Sequence, residues 1–324
     1  MLRRFLAALL LVPVLLPVLG GRAAAHSGGL EAEADLPRVV ALEPAVPGLV
    51  AAVVEGGARL SLTNGTAATV EVVPAGVRGE EPAAIAPGES AHWTDPRIRG
   101  TDGTVTPWTI PLRVGDRDVA IRGETTWPPP PATAGWWTLT AVLAAGATAL
   151  GVLAVRRRGA AYAVAGLTVV ALAAHAVHVL GSASVPVGLD YWPTVLGTAG
   201  IGLVAWVAGP VGVALVPRVR SWGLLSCAIA GAVLALVTAL DTGSFARAVL
   251  PYAWDPTLDR ISTACTVGIG LGLFVTGFAV LRAMTPETTE QELAEWNAPE
   301  RGTTARNAAA RDTTGQDTSE ESTR

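Results

Sequence analysis

The sequence predicts an exported all-β sandwich, immunoglobulin-like or cupredoxin-like in outline, followed by a membrane-embedded all-α bundle of about five helices. Three observations support this. The chain has 324 residues, of which 50% are hydrophobic and only 15% charged, too few charges for an ordinary soluble protein. It begins with a signal-like segment. Its apolar residues then form short alternating runs, followed by long uninterrupted ones.

The first 25 residues have the pattern of a cleavable signal peptide. Arg3 and Arg4 precede an apolar run over residues 5–19, and small residues at 23–25 fit a cleavage site before His26. We therefore divide the chain into a signal peptide (1–25), an exported β domain (26–131), a five-helix transmembrane domain (132–284) and a cytoplasmic tail (285–324). The tail is predicted to be disordered, apart from a short helix at its start.

Turn residues separate short alternating runs throughout the β domain. Residues 49–55 and 58–63 flank a Gly56-Gly57 turn, and residues 108–114 and 118–126 flank a second turn at 115–117. These patterns predict two hairpins, with a further strand at 68–73. Six or seven strands in about 90 residues indicate a small antiparallel sandwich.

Five runs of about 20 apolar residues follow, each long enough to cross a membrane. They cover residues 136–155, 160–181, 193–215, 222–240 and 261–283. Arg156 to Arg158, Arg218, Arg220 and Arg282 all fall on the cytoplasmic side if the β domain is outside, as the positive-inside rule requires. The predicted location is therefore the cell membrane, with a cytoplasmic C-terminal tail.

Two local features of these spans carry expectations about packing. Pro210 should kink the third span. Gly268 and Gly272 form a G-x-x-x-G motif on the fifth, a close-packing face that could serve packing inside the bundle or an oligomer.

Composition excludes several functions. All basic residues are Arg, and without Lys the chain has no Walker P-loop and no Schiff-base lysine. G-x-S-x-G, H-E-x-x-H and C-x-x-C motifs are also absent, so we expect no enzyme. Residues 26–132 carry fourteen acids against eight Arg, which argues against nucleic acid as a partner. The expected partners are membrane lipids, a metal ion or another membrane protein.

Two histidines lie in the predicted exported domain. Cleavage would make His26 the N-terminus, where its α-amine and imidazole could chelate Cu(II), with His92 as a further ligand. The alternative is that His26 merely begins a flexible arm. Copper is thus a candidate cofactor, with His26 and His92 as candidate metal ligands.

His175 and His178 share one face of the second span, roughly 5–10 Å below the outer surface by helix rise. An ionisable group at this depth suggests a function such as metal or proton transfer. The alternative is two neutral imidazoles that bond to neighbouring helices. Asp190, Tyr191, Asp241, Asp255 and Asp259 are expected in outer loops, where they could line a mouth above His178 or simply be solvated.

Cys227 and Cys265 are expected at different depths, about 15 Å apart by helix rise. That separation forbids a disulfide, and both are interpreted as packing residues.

Residues 43–49 (EPAVPGL), 57–64 (GARLSLTN) and 108–115 (WTIPLRVG) resemble an uncharacterised family of bacterial exported membrane proteins, loosely associated with copper handling. Members carry a stretch W-H-D-H-R-x-H between these motifs. Here Trp93, Asp95 and Arg97 match it, whereas Thr94, Pro96 and Arg99 replace the histidines. The resemblance implies a metal role that this departure weakens.

The expected function is therefore non-enzymatic: an exported β domain binds a ligand or partner, with copper handling as the most specific version. One alternative is a transporter or channel subunit with His175 and His178 on its pathway. Another is a structural assembly factor for a membrane complex.

Overall fold

The computed structural model of the chain describes residues 30–76, 81–101 and 103–297. A β region comes first and a helical bundle follows, as predicted. The predicted signal peptide, His26 and the tail beyond residue 297 lie outside the described residues.

The β region contains eight described strands in two antiparallel sheets. The strands are β1 (Leu36–Glu43), β2 (Leu49–Val54), β3 (Arg59–Asn64), β4 (Val70–Val72), β5 (Ala84–Ile85), β6 (Ser90–Trp93), β7 (Thr106–Val114) and β8 (Arg117–Thr126). One sheet has the order β1-β8-β7-β4-β5, the other β2-β3-β6. The two predicted hairpins are confirmed as β2–β3 and β7–β8.

Both sheets contribute to a single hydrophobic core. Leu60, Leu62 and Trp93 of the smaller sheet lie in the same buried cluster as Ile110 and Ile121 of the larger one. The cause is the period-2 alternation of the strands, since β7 buries every second side chain from Trp108 to Val114. Burial of these large side chains on one face of each sheet holds the sheets together.

Seven described helices form the rest of the structure. They are α1 (Thr133–Ala154), α2 (Arg158–Ala183), α3 (Tyr191–Ala199), α4 (Gly202–Leu215), α5 (Arg220–Ala239), α6 (Pro256–Ala283) and α7 (Pro286–Asn297). Helices α1, α2, α5 and α6 are long and apolar enough to cross a membrane. A fifth crossing results if α3 and α4 count as one broken span.

The third predicted span is not one straight helix. Its two parts, α3 and α4, meet at an angle of 76°, and the break lies at Gly200, with φ +46°. Glycine tolerates this backbone conformation, which other residues rarely adopt. Helix α4 continues through Pro210 as one helix, and the break at Gly200, which the sequence did not predict, lies ten residues before it.

Small residues bring the helices of the bundle close together. A Cβ atom at Gly268 would lie 2.6 Å from the Thr140 carbonyl oxygen, and one at Gly272 would lie 2.4 Å from Ala147 Cβ. The G-x-x-x-G face of α6 therefore packs against α1 within the chain. Of the two alternatives, internal packing is the one observed, and an oligomer through this face would have to displace α1.

The short helix expected after the last span is α7. The carboxylate of Glu292 accepts hydrogen bonds from the Ser221 amide (3.1 Å) and hydroxyl (2.9 Å) at the start of α5. Residues 286–297 are thus helical and attached to the bundle, as expected for the start of the tail.

Candidate functional site

The most unusual group of side chains surrounds His178, near the bundle end that faces the β region. His178 is only 6% exposed. Its Nδ1 lies 2.7 Å from Asp259 Oδ1, and its Nε2 lies 3.3 Å from Asp241 Oδ2. One imidazole thus lies between two carboxylates in the protein interior, where an uncompensated charge is costly.

Three separate elements position this cluster. His178 is on α2, five residues before its C-terminal end. Asp241 is on a 3₁₀ turn (Leu240–Phe245) that directly continues α5. Asp259 is in the first turn of α6, which begins after Asp255, whose side chain accepts a hydrogen bond from the Thr257 amide at 2.6 Å.

Arg260, at the start of α6, holds the segment that precedes this helix in place. The Arg260 guanidinium is buried and donates hydrogen bonds to the carbonyl oxygens of Ser244 and Arg247, both at 2.9 Å. These bonds hold the segment between α5 and α6 (residues 240–255, the α5–α6 segment) over the cluster. The segment therefore has a defined conformation at this end of the bundle.

The α5–α6 segment also contacts α2 and the β region. Tyr252 packs on Gly181, where a Cβ atom would lie 2.1 Å from its ring, and its hydroxyl donates to the Val177 carbonyl oxygen at 3.3 Å. Burial and the neighbouring Asp259 carboxylate raise the pKa of Tyr252, so its phenol is neutral at physiological pH. Val249 forms a β-bridge with Glu33 of the β region.

The tip of the β2–β3 hairpin is the second contact between the two regions. Glu55 is 7% exposed, and its Oε1 accepts a hydrogen bond from the Val187 amide at 2.9 Å. The next residue, Gly56, lies so near the α5–α6 segment that a Cβ atom there would be 3.1 Å from the Leu250 carbonyl oxygen. Glu55 has φ +56°, a strained conformation for a non-glycine residue that the docked tip maintains.

The structure separates the two bundle histidines, although they share a helix face. His175 is 3% exposed, and its Nδ1 accepts a hydrogen bond from Trp206 Nε1 of α4 at 3.0 Å. His178 instead contacts Asp241 and Asp259. Each imidazole therefore contacts its own set of side chains on neighbouring elements, and the two histidines do not form one site.

The cluster is not a three-ligand metal centre. Asp241 and Asp259 lie on opposite ring nitrogens of His178, so the three side chains do not converge on one point. Among the described residues, no group of three or more His, Cys, Asp or Glu side chains is arranged to hold a metal ion.

Of the two histidines predicted in the exported domain, only His92 is described. It lies on β6, is solvent-exposed, and is paired in register with Ser61 of β3. The proposed chelate with His26 thus has one accessible ligand within the described structure, and its other ligand lies outside it.

Trp93, Asp95 and Arg97 form a hydrogen-bonded group in the β region. The Asp95 carboxylate is fully buried and accepts hydrogen bonds from Trp93 Nε1 at 3.1 Å and from Arg97 Nη2 at 2.7 Å. Burial raises the pKa of Asp95, but the hydrogen bonds of Arg97 and Trp93 outweigh this effect and leave it below its ordinary value. The replaced positions Thr94 and Pro96 are exposed. Trp93, Asp95 and Arg97 therefore have a structural role in the β core.

Cys227 and Cys265 are both free thiols in the described structure, as expected from their different depths. Cys227, on α5, is fully buried within the bundle core, where it faces Gly212 of α4. It therefore serves as a small packing residue.

Asp259 was predicted in a loop but lies inside α6. The signal that could have placed it is Asp255-Pro256, because Asp at the cap and Pro at the first helical position mark a helix start. Reading that start correctly would have put Asp259 in the first turn. The approach of Asp241 to His178 has no comparable local signal, since it depends on how α5 and α2 pack.

The chain was compared with protein-family models, with curated proteins and with solved structures, and none of these three comparisons gave a match.

Proposed function

We propose that the protein is a non-enzymatic, multi-pass membrane protein whose exported β domain binds a ligand or partner, and whose bundle anchors that domain and responds to it. The α5–α6 segment is the observation that carries this proposal. One end of the segment supplies Asp241 to His178, and a later part pairs Val249 with Glu33 of the β region. A displacement of the β domain would therefore act directly on the His178 cluster.

The proposed response is tested by a substitution that disrupts the contact between the β2–β3 hairpin and the α5–α6 segment. Gly56→Val places a side chain against Leu250 at a position with φ +65°, whereas Gly88→Val imposes similar strain at φ +82° where nothing lies within 4 Å. In the full-length chain, Gly56→Val should raise amide exchange in the α5–α6 segment and around His178. Gly88→Val should leave both unchanged. Faster exchange confined to the β2–β3 hairpin in the Gly56 variant would contradict the response.

Binding by the β domain has a natural location at the edge of its smaller sheet. Strand β2 is an edge strand, and Val50 on it is 60% exposed. Exposed edge strands pair readily with other chains. A photo-cross-linking residue at Val50 should give a specific adduct in cells, whereas one at Thr109 on the interior strand β7 should not. Equal labelling at both positions would argue against this edge.

The proposed orientation places the β domain outside the cell membrane and the C-terminal tail in the cytoplasm. It is supported by the Arg residues at 156–158, 218, 220 and 282, which then all face inward. A reporter active only outside the cytoplasm should be active after Gly115 and silent after Arg158 or in the tail. Activity in the tail would mean an even number of crossings.

Copper handling is the most specific form of this proposal. It would use a free N-terminal His26, with the exposed His92 as a further ligand. A protein beginning at His26 should bind one Cu(II), and a single extra N-terminal residue should weaken binding severely, because the chelating amine must be free. Equal affinity with and without the extra residue would eliminate the chelate.

A transporter or channel subunit is the second candidate, because buried histidines favour a role in moving protons or ions. His175→Ala and His178→Ala would then abolish flux in proteoliposomes. A structural assembly factor would tolerate both substitutions as long as the docked β domain stayed in place.

For the β domain itself, we propose an immunoglobulin-like or cupredoxin-like sandwich, supported by the core that its two sheets share.

A further inference from the structure

One ring nitrogen of His178 is buried without a hydrogen bond. Among the described residues, Nε2 has no hydrogen-bond partner, although Asp241 Oδ2 lies 3.3 Å away. The side chain is only 6% exposed, so water in the surrounding solvent does not satisfy this nitrogen. A buried polar atom without a hydrogen bond is destabilising, so this nitrogen requires an explanation.

The separation of the two atoms leaves room for a bridging ion. An ion about 2.1 Å from both Nε2 and Oδ2, a usual zinc–ligand distance, would join them at an angle of about 104°, given their 3.3 Å separation. That angle suits tetrahedral coordination, so the two atoms are spaced as two ligands of one ion would be.

Asp259 fixes His178 in the orientation for ligation. Its Oδ1 lies 2.7 Å from Nδ1, so Nδ1 can donate a proton there while the lone pair of Nε2 faces Asp241. Histidines that ligate metals usually donate the other ring N–H to a carboxylate in this way. Asp259 therefore acts as a positioning residue, while His178 and Asp241 supply the ligand atoms.

Two hydroxyl groups near Asp241 also lack partners. Thr238 Oγ1 and Ser244 Oγ are buried without a hydrogen bond in the described structure, and their residues are 1% and 4% exposed. Ser244 follows Asp241 by three residues on a 3₁₀ turn, where side chains at this spacing lie on the same side. These hydroxyls are buried oxygen donors, each three residues from Asp241 in the chain.

We propose that His178 Nε2 and Asp241 Oδ2 bind one divalent transition-metal ion of the zinc class, with Asp259 orienting the imidazole. The donors are an imidazole nitrogen, a carboxylate and hydroxyl oxygens, which suit Zn²⁺ and its neighbours better than Cu(I), a metal that prefers thiolates and thioethers. A divalent cation also compensates the two carboxylates. The site does not depend on the proposed function of the β domain.

Zinc titration of the purified full-length protein, freed of metal by a chelator, tests this site. Calorimetry should show one Zn²⁺ bound per chain, and Co²⁺ should give the absorption of a four-coordinate N/O site. We expect His178→Gln to abolish binding and Asp241→Asn to weaken it at least about tenfold. Asp259→Asn should weaken it about 10–100-fold, the usual effect of losing an orienting carboxylate.

His26→Ala and His92→Ala are the matched controls, because they remove the other histidines that could bind zinc. Both should change the affinity less than about twofold. Equal Zn²⁺ affinity in the wild type and in Asp241→Asn would overturn the proposal. A second measurement does not depend on the folding of variants: ¹⁵N NMR of the wild type should show His178 Nε2 shifting on addition of Zn²⁺. A ring that stays protonated at both nitrogens in excess Zn²⁺ would identify the cluster as an imidazolium ion pair and exclude the metal.

Discussion

The β region and the helical bundle achieve tight packing with different side chains. The β core consists of large groups such as Trp93, Leu60 and Ile110, each at most 1% exposed. Alanine is the most frequent residue of the bundle core, and its helices meet at glycines such as Gly231, where a Cβ atom would lie 2.4 Å from Leu273 Cβ. In water, burial of large apolar surface drives folding. Between helices in lipid that force is absent, and close contact of small residues replaces it.

Both regions bury charged groups. In the β region, Asp95 is fully buried and paired with Arg97, whereas pairs such as Arg38–Glu124 lie at the surface, where they contribute little. The bundle places His178 and Asp259 in its interior, each less than 10% exposed. The two regions therefore differ in the size of the apolar side chains that they pack, and not in whether they bury charge.

The largest effect should come from truncating the β core. Trp93→Ala removes a side chain that is 1% exposed and should destabilise the β region by about 3–5 kcal/mol, as such truncations usually do. Urea titration of the full-length protein, followed by amide exchange of strands β6–β8, measures this. Protection of α6 should be unchanged, and a bundle that unfolds together with the strands would contradict two separately packed cores.

Enlarging a small residue should be the damaging change in the bundle. Gly272→Val forces a side chain against Ala147 of α1 and should cost about 1–3 kcal/mol, the usual cost of overpacking. Gly146→Val on α1 is the control, because nothing lies within 4 Å of a Cβ atom there. Thermal denaturation in detergent should show a lower midpoint for the first variant alone, and equal midpoints would contradict the close-packing interpretation.

A smaller effect should appear with pH in the β region. Because the folded-state pKa of Asp95 lies below its ordinary value, the ionised carboxylate stabilises the fold above the unfolded pKa of about 3.9. This stability is lost as the pH falls below about 4 and through the folded pKa. Asp95→Asn should reduce stability at pH 7 and flatten the dependence on pH below 5. An unchanged acid-unfolding profile would exclude Asp95 as its source.

The smallest effect should come from the contact between the tip of the β2–β3 hairpin and the helical bundle. Glu55→Gln keeps an acceptor for the Val187 amide but removes the charge that faces Arg59 at 3.4 Å. We expect a loss of about 0.5 kcal/mol, as for a partly exposed ion pair, with faster exchange confined to residues 184–190. Glu55→Ala, which also removes the acceptor, should have a larger effect, and identical exchange in both variants would contradict the hydrogen bond.

Much of the fold could be predicted from local patterns in the sequence. The β2–β3 hairpin follows from Gly56-Gly57 between alternating runs, and α1, α2, α5 and α6 follow from uninterrupted apolar runs. The broken third span could not be predicted in this way. Its apolar run is continuous, and the left-handed conformation of Gly200 is one of several that glycine permits.

The candidate site was only partly predictable. His178 was recognised because an ionisable residue inside an apolar run is unusual. Its partners come from α6 and from the turn after α5, 81 and 63 residues further along the chain. Their approach depends on tertiary packing, and no local pattern specifies it. Trp93, Asp95 and Arg97 show the reverse case, since a motif identified them and the structure gives them a buried structural role.

The break at Gly200 has a consequence for the surrounding bilayer. Helix α4 retains 14 residues, which span only about 21 Å at 1.5 Å per residue, against a hydrocarbon thickness of about 30 Å. Next to α4 the protein thus presents a shorter apolar wall than next to α6, with its 28 residues. Such hydrophobic mismatch is relieved by local thinning of the membrane. The lipids around this protein should therefore be compressed on one side only, which favours short acyl chains beside α4.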